Sequence, residues 1–121
     1  MDAAQALADL TEISSQIEAA VLFDEAGAVQ ASTLADGAAL AGAAARLLEQ
    51  AATHGEVTQL EASVGDGTVF VVREGARRIA AITGPSPTVG LVFYDLKSAL
   101  RGAAEEKPKR RRTTKKATDE A

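Results

Sequence analysis

The chain contains no cysteine. Disulfide staples and thiolate metal sites are therefore excluded, and an intracellular, cytoplasmic location is the expectation. Tryptophan is absent too, and His54 is the one histidine. A single imidazole with no thiol beside it makes a poor metal site, and a Ser-His-Asp arrangement is not visible. Aromatic residues make up only 3%, so the core must be built from Leu, Val, Ile and Ala. No stretch approaches the roughly 20 apolar residues needed to span a bilayer. The first ten residues, "MDAAQALADL", lack the basic start and long apolar run of a signal peptide. The glycine-proline segment "GPSP" at 84–87 has no Gly-Lys-Ser/Thr after it, so it is not a phosphate loop. With these parts missing, no catalytic, cofactor-binding or metal-ligating residue is assigned, no cofactor is expected, and the chain reads as a non-enzyme.

What is present is a modest apolar fraction, 46% of 121 residues, much of it alanine. That length fits one domain. A domain so small and alanine-rich buries little apolar area per residue, and oligomerisation is one ordinary way to bury more. Charge is uneven. Residues 105–121 hold seven Lys or Arg against four acids, a balance of +3. Residues 1–104 hold six against thirteen, a balance of -7, which together give the net -4. An acidic body with a basic tail is more informative than the mild total.

Leu7, Leu10, Ile13 and Ile17 recur at spacings of three and four, which predicts a core-facing helix over 2–17 with Asp2 as its cap. Ser14 and Ser15 weaken its end. In "VLFDEAGAV", Asp24 and Glu25 stand between two β-forming runs. Paired carboxylates serve acid-base chemistry only in a cleft that separates their environments. Here Asp begins a turn and Gly27 accepts positive φ, so a hairpin tip is predicted. A second helix is expected over 36–53, capped by Asp36, with Leu40, Ala44, Leu47, Leu48 and Ala51 as a stripe and small residues all round. His54 and Gly55 suit its C-terminal end. Strands "VTQLEASV", "TVFVVRE" and "RRIAAITG" follow, joined by turns at "GDG" and "EGA". "GLVFY" alone reads as a strand, but Val89, Val92, Phe93, Leu96 and Leu100 are at helical spacing. Ser86 and Pro87 look like the cap and first position of that last helix. The expected fold is α+β, an antiparallel five-stranded sheet with helices packed on it, in the order α-β-β-α-β-β-β-α. The domain is expected over 1–103, with 104–121 a disordered basic tail.

The hairpin "AAVLFDEAGAVQAS", the small-residue helix "LAGAAARLLEQA", the meander "TQLEASVGDGTVFVVREGARRIAAIT" and the closing "GLVFYDLKSALR" together resemble the roadblock family of dynein light chains and bacterial GTPase partners. They span about residues 5–101. The resemblance implies a roadblock/longin/profilin-like sandwich and a dimer, either a homodimer or a heterodimer with a paralogue. It also implies that third strands pair edge to edge while second helices pack together. In this chain those are residues 57–64 and 37–53, and the interface residues expected from them are Leu40, Ala43, Ala44, Leu47, Gln59, Glu61 and Ser63. "VTQLEASV" has neither proline nor lysine to guard an edge. The implied role is a scaffold or regulator of a Ras-like small GTPase. No motif transfers position by position, so no arginine finger is chosen among Arg46, Arg73, Arg77 and Arg78.

The tail supplies a rival reading. Lys107, Lys109, Arg110, Arg111, Arg112, Lys115 and Lys116 form a dense basic cluster suited to phosphate backbones or anionic lipid surfaces. It carries no aromatic residue for base stacking, and the acidic body would be repelled. A small-ligand sensor is a third reading, weakened by the shortage of convergent polar groups in an aliphatic core.

Overall fold

A computed structural model describes residues 2–104. The elements are α1 (Ala3–Ile13), β1 (Ile17–Asp24), β2 (Val29–Ser32), α2 (Gly37–Ala51), a 3-10 turn (Ala52–His54), β3 (Gln59–Val64), β4 (Gly67–Glu74), β5 (Arg77–Thr83) and α3 (Val89–Ala104). The order is the expected one. α3 runs through Ala104, one residue past the expected domain boundary at 103, and residues 105–121 of the basic tail lie outside the described residues.

All pairings in the sheet are antiparallel, in the order β2-β1-β5-β4-β3. β5 closes back beside β1, which leaves β2 and β3 as the edges. Because successive side chains alternate between faces, each of the inner strands β1, β4 and β5 feeds two cores. Ala20, Leu22, Phe70, Val72, Ile79 and Ala81 face α1 and α3. Val21, Phe23, Val71 and Ala80 face α2. Phe23 and Phe70 are both fully buried, one in each core. Burying such a side chain stabilises by about 1.5–3 kcal/mol, so the two rings anchor layers otherwise filled by small aliphatics. Phe93 of α3 meets Phe70 edge to face, with ring centroids 5.1 Å apart and planes at 78°.

The hairpin tip is a turn, as expected. The Asp24 carboxylate accepts hydrogen bonds from the backbone N–H groups of Ala26 and Ala28, both at 2.9 Å. Gly27 carries φ +87°, which side-chain-bearing residues avoid. Asp2 and Asp36 cap α1 and α2 through the N–H groups of Gln5 and Ala39. Two expectations need correction. The first helix stops at Ile13, because Ser14 leaves helical geometry at φ -106°, ψ 98°. Ile17 consequently starts β1 and is buried there, whereas Ile13 is 74% exposed. The last helix begins at Val89, so Ser86 and Pro87 precede it. The segment is helical, as the spacing of its apolar residues predicted.

Candidate functional site

Two neighbouring surfaces collect the residues expected at an interface. The first is the open edge of β3. The Arg73 N–H donates to the Thr58 carbonyl oxygen at 2.8 Å, and these two residues are directly opposite in the register that pairs Gln59 with Val72. In an antiparallel ladder, hydrogen-bonded and non-hydrogen-bonded pairs alternate. Leu60 and Ala62 therefore turn their backbone groups toward β4. Gln59, Glu61 and Ser63 turn theirs outward, and all three are exposed. The three β3 residues expected at the interface are thus the ones with free backbone donors and acceptors at the rim.

The second surface is the outer side of α2. Here the expectation is corrected in part. Leu40 and Ala44 lie on the sheet and are buried in this chain's own core, with Ala41 and Leu48. The stripe read from their spacing is the core stripe. Ala43 and Leu47 are half-buried, and Ala38, Ala39 and Arg46 stand exposed beside them. Gly42 lies on this side. A Cβ placed there would meet nothing nearer than the Arg46 guanidinium, at 3.9 Å. The helix thus offers an outer face of Ala, Gly and one Leu with Arg46 among them.

Between the two surfaces the sheet is thinly covered. Val57, Leu60, Val69 and Ile82 are only partly buried on the α2 side, and Val64 at the end of β3 is 56% exposed. Sequence reading missed this strip because each of these residues looks like ordinary core. Only the strand order shows that α2 is not over them.

The arginines are distributed rather than convergent. Arg73 pairs with Glu56. Arg101 makes a two-pronged contact to Glu74, at 2.8 and 3.3 Å, and this carboxylate raises the guanidinium pKa above its ordinary value by hydrogen bonding and charge. Arg78 donates to the Ala76 carbonyl and shares a depression with Asp24, Glu25 and Arg73. Asp24 and Glu25, at the hairpin tip, are committed to the turn and to solvent. Among the described residues, no three His, Cys, Asp or Glu side chains converge as metal ligands, and no helix is long and apolar enough to cross a membrane. The seven basic residues of the tail lie outside the described residues.

No protein-family model matches the sequence, and no curated protein matches it. Solved structures do match the fold. A roadblock/LC7 domain from Streptomyces avermitilis superposes with a TM-score of 0.78 at 16% identity, over 88% of this chain and 98% of that one. An MglB solved in a tetrameric arrangement gives 0.65 at 17% identity, over 84% and 86%. The gliding protein MglB from Thermus thermophilus gives 0.60 at 20% identity, over 84% and 87%. The chain therefore has the fold of the roadblock domains, as its sequence resemblance implied.

Proposed function

We propose that this protein is a non-catalytic, dimeric interaction module of the roadblock type, and that its partner beyond itself is a Ras-like small GTPase. The observation that carries the dimer is the β3 rim: Gln59, Glu61 and Ser63 present outward-facing backbone groups on an edge without proline or lysine. Such an edge is a template for another strand. A second copy paired there in antiparallel fashion would extend the sheet across both chains. It would also carry its own α2 toward the thinly covered strip of Val57, Leu60, Val69 and Ile82. The small outer face of α2, with Ala43, Leu47 and Gly42, suits close helix contact. A paralogue with the same edge would serve equally well.

The GTPase reading rests on the family resemblance together with the roadblock fold; no residue is assigned to that contact. The role is scaffolding or regulation of the GTPase's own site. The test is direct. Once the mass in solution shows a dimer, the protein is used to capture small GTPases loaded with GDP or with a non-hydrolysable GTP analogue. Nucleotide-dependent capture is expected, and a dimer that binds no GTPase in either state would overturn the partner assignment while leaving the module.

A further inference from the structure

The α1/α3 side of the β3 rim carries both an acid and a base. Leu60 packs on the α2 side, so Gln59, Glu61 and Ser63 turn their side chains to the other face. There Phe93 of α3 lies on Phe70, and Phe70 is directly opposite Glu61 in the register. One helical turn further along α3, Lys97 lines a depression with Gln59 and Val72, which are themselves opposite each other. Glu56 and Glu74 share that depression, but Arg73 engages the first and Arg101 the second. Among the described residues neither Lys97 nor Glu61 has an ion-pair partner.

The backbone of the rim says where a second copy brings its own Glu61. Thr58 already accepts from Arg73 across the ladder, so by alternation the outward-facing groups start at Val57 and continue through Gln59, Glu61 and Ser63. The chain then turns at Gly65, with φ +59°. The outward set from Val57 to Ser63 is centred on Leu60. Resting on the dimer proposed above, we infer that two copies of this chain cross at Leu60, and that Lys97 and Gln59 of each receive the partner's Glu61. In this register Val57 is opposite the partner's Ser63 and Gln59 is opposite the partner's Glu61. The Gln59 amide donates to that carboxylate, and the Lys97 ammonium stands at the same level to pair with it. Both contacts occur twice about the two-fold axis, as an isologous interface requires. The neighbouring registers are worse. An axis at Glu61 sets Val57 against the partner's turn residue Gly65 and puts two carboxylates directly opposite each other, which destabilises a sheet. An axis at Ala62 runs Gln59 into that same turn. The edge is therefore self-complementary, and a paralogue could replace the second copy only with an acid in place of Glu61 and a base in place of Lys97.

The absence of cysteine makes the axis easy to read. Full-length Leu60→Cys, Glu61→Cys and Ala62→Cys are oxidised mildly, and disulfide-linked dimer is measured. With the axis at Leu60, its two copies form a non-hydrogen-bonded pair with Cα atoms about 4.5 Å apart, within disulfide range. The two copies of Glu61 then lie roughly 8 Å apart, beyond that range, and those of Ala62 farther still. Leu60→Cys alone should cross-link. A mixture of Gln59→Cys and Glu61→Cys chains should also cross-link, although neither does by itself; both positions are exposed, so this arm does not depend on repacking at Leu60. Self-linking of Glu61→Cys or Ala62→Cys would overturn the register and leave the β3 dimer standing. A dimer by mass that cross-links at none of these positions would overturn the β3 interface itself, and a parent monomeric by mass would overturn the dimer. The ion pair is read by sedimentation equilibrium at low salt. Lys97→Glu and Glu61→Lys should each weaken dimerisation by roughly 2- to 30-fold, for two exposed pairs per dimer. Both changes in one chain should recover most of that loss. A double variant as weak as the sum of its parts would overturn the contact between Lys97 and the partner's Glu61.

Discussion

Replacing Gly42 by alanine separates the stability of the protomer from the association of two. Gly42 sits in the interior of α2, five residues from its first residue, Gly37. A glycine there costs about 0.8–1.0 kcal/mol relative to alanine. Nothing offsets the gain, since the added methyl would meet only the Arg46 guanidinium, at 3.9 Å, an ordinary contact. The free protomer should therefore become more stable by roughly 1 kcal/mol, which raises Tm by about 4–8 °C for a domain of this size. Gly37→Ala is the internal control. Its methyl would fall 2.4 Å from the Ser32 Oγ, which is tied to the Leu34 backbone on both sides at 2.9 and 3.0 Å. Overpacking of that kind costs about 1–3 kcal/mol. Urea unfolding is run at concentrations low enough to hold the protomer alone, because dimerisation adds stability by mass action. If α2 helices pack on each other, Gly42→Ala should also weaken the dimer at higher concentration. A Gly42→Ala protomer less stable than the parent would refute the placement of Gly42 on an open helix face.

Further expectations follow from other sites. Asp24→Ala removes the acceptor for two turn N–H groups and should cost about 1 kcal/mol, since those groups are exposed and water replaces the carboxylate; a destabilisation above that range in denaturant titration would mean Asp24 has a role beyond the turn. A double-mutant cycle with Phe70→Leu and Phe93→Leu should give a coupling of about 0.5–1.5 kcal/mol from the edge-to-face pair, and additivity would contradict the ring contact. Arg101→Gln should remove a salt-sensitive part of stability. The raised pKa of Arg101 means this contribution is complete below the free guanidinium value and fades only as pH rises through the folded one. Unfolding midpoints between about pH 6 and 9 should therefore shift by a constant amount. A pH-dependent difference across that window would show that Arg101 is linked to another titrating group.

The legibility of this chain differs by level. The strands were readable because β4 and β5 are apolar runs bounded by glycines that take positive φ, Gly65 and Gly75. The hairpin was readable because Asp24 and Gly27 have the chemistry of a turn. What failed was local. Ile13 and Ile17 continue a helical spacing that the backbone abandons at Ser14, and periodicity alone carries no record of that break. The exposed set on β3 was readable from parity, since Gln59, Glu61 and Ser63 alternate with Leu60 and Ala62. The outer face of α2 was not. Leu40 and Ala44 share the spacing of a stripe, and a stripe on an alanine-rich helix does not say whether it meets its own sheet or a second chain.

The central claim is a dimer through the β3 rim, and sedimentation equilibrium of the parent beside Glu61→Pro tests it most directly. The outward-facing N–H of Glu61 is not part of the β4 ladder, so proline removes a donor from the rim and none from the protomer. The account predicts a dimer for the parent, an unchanged dimer when 105–121 are removed, and a folded monomer for Glu61→Pro. A parent that stays monomeric at every concentration, or a Glu61→Pro protein that dimerises like the parent, would contradict it.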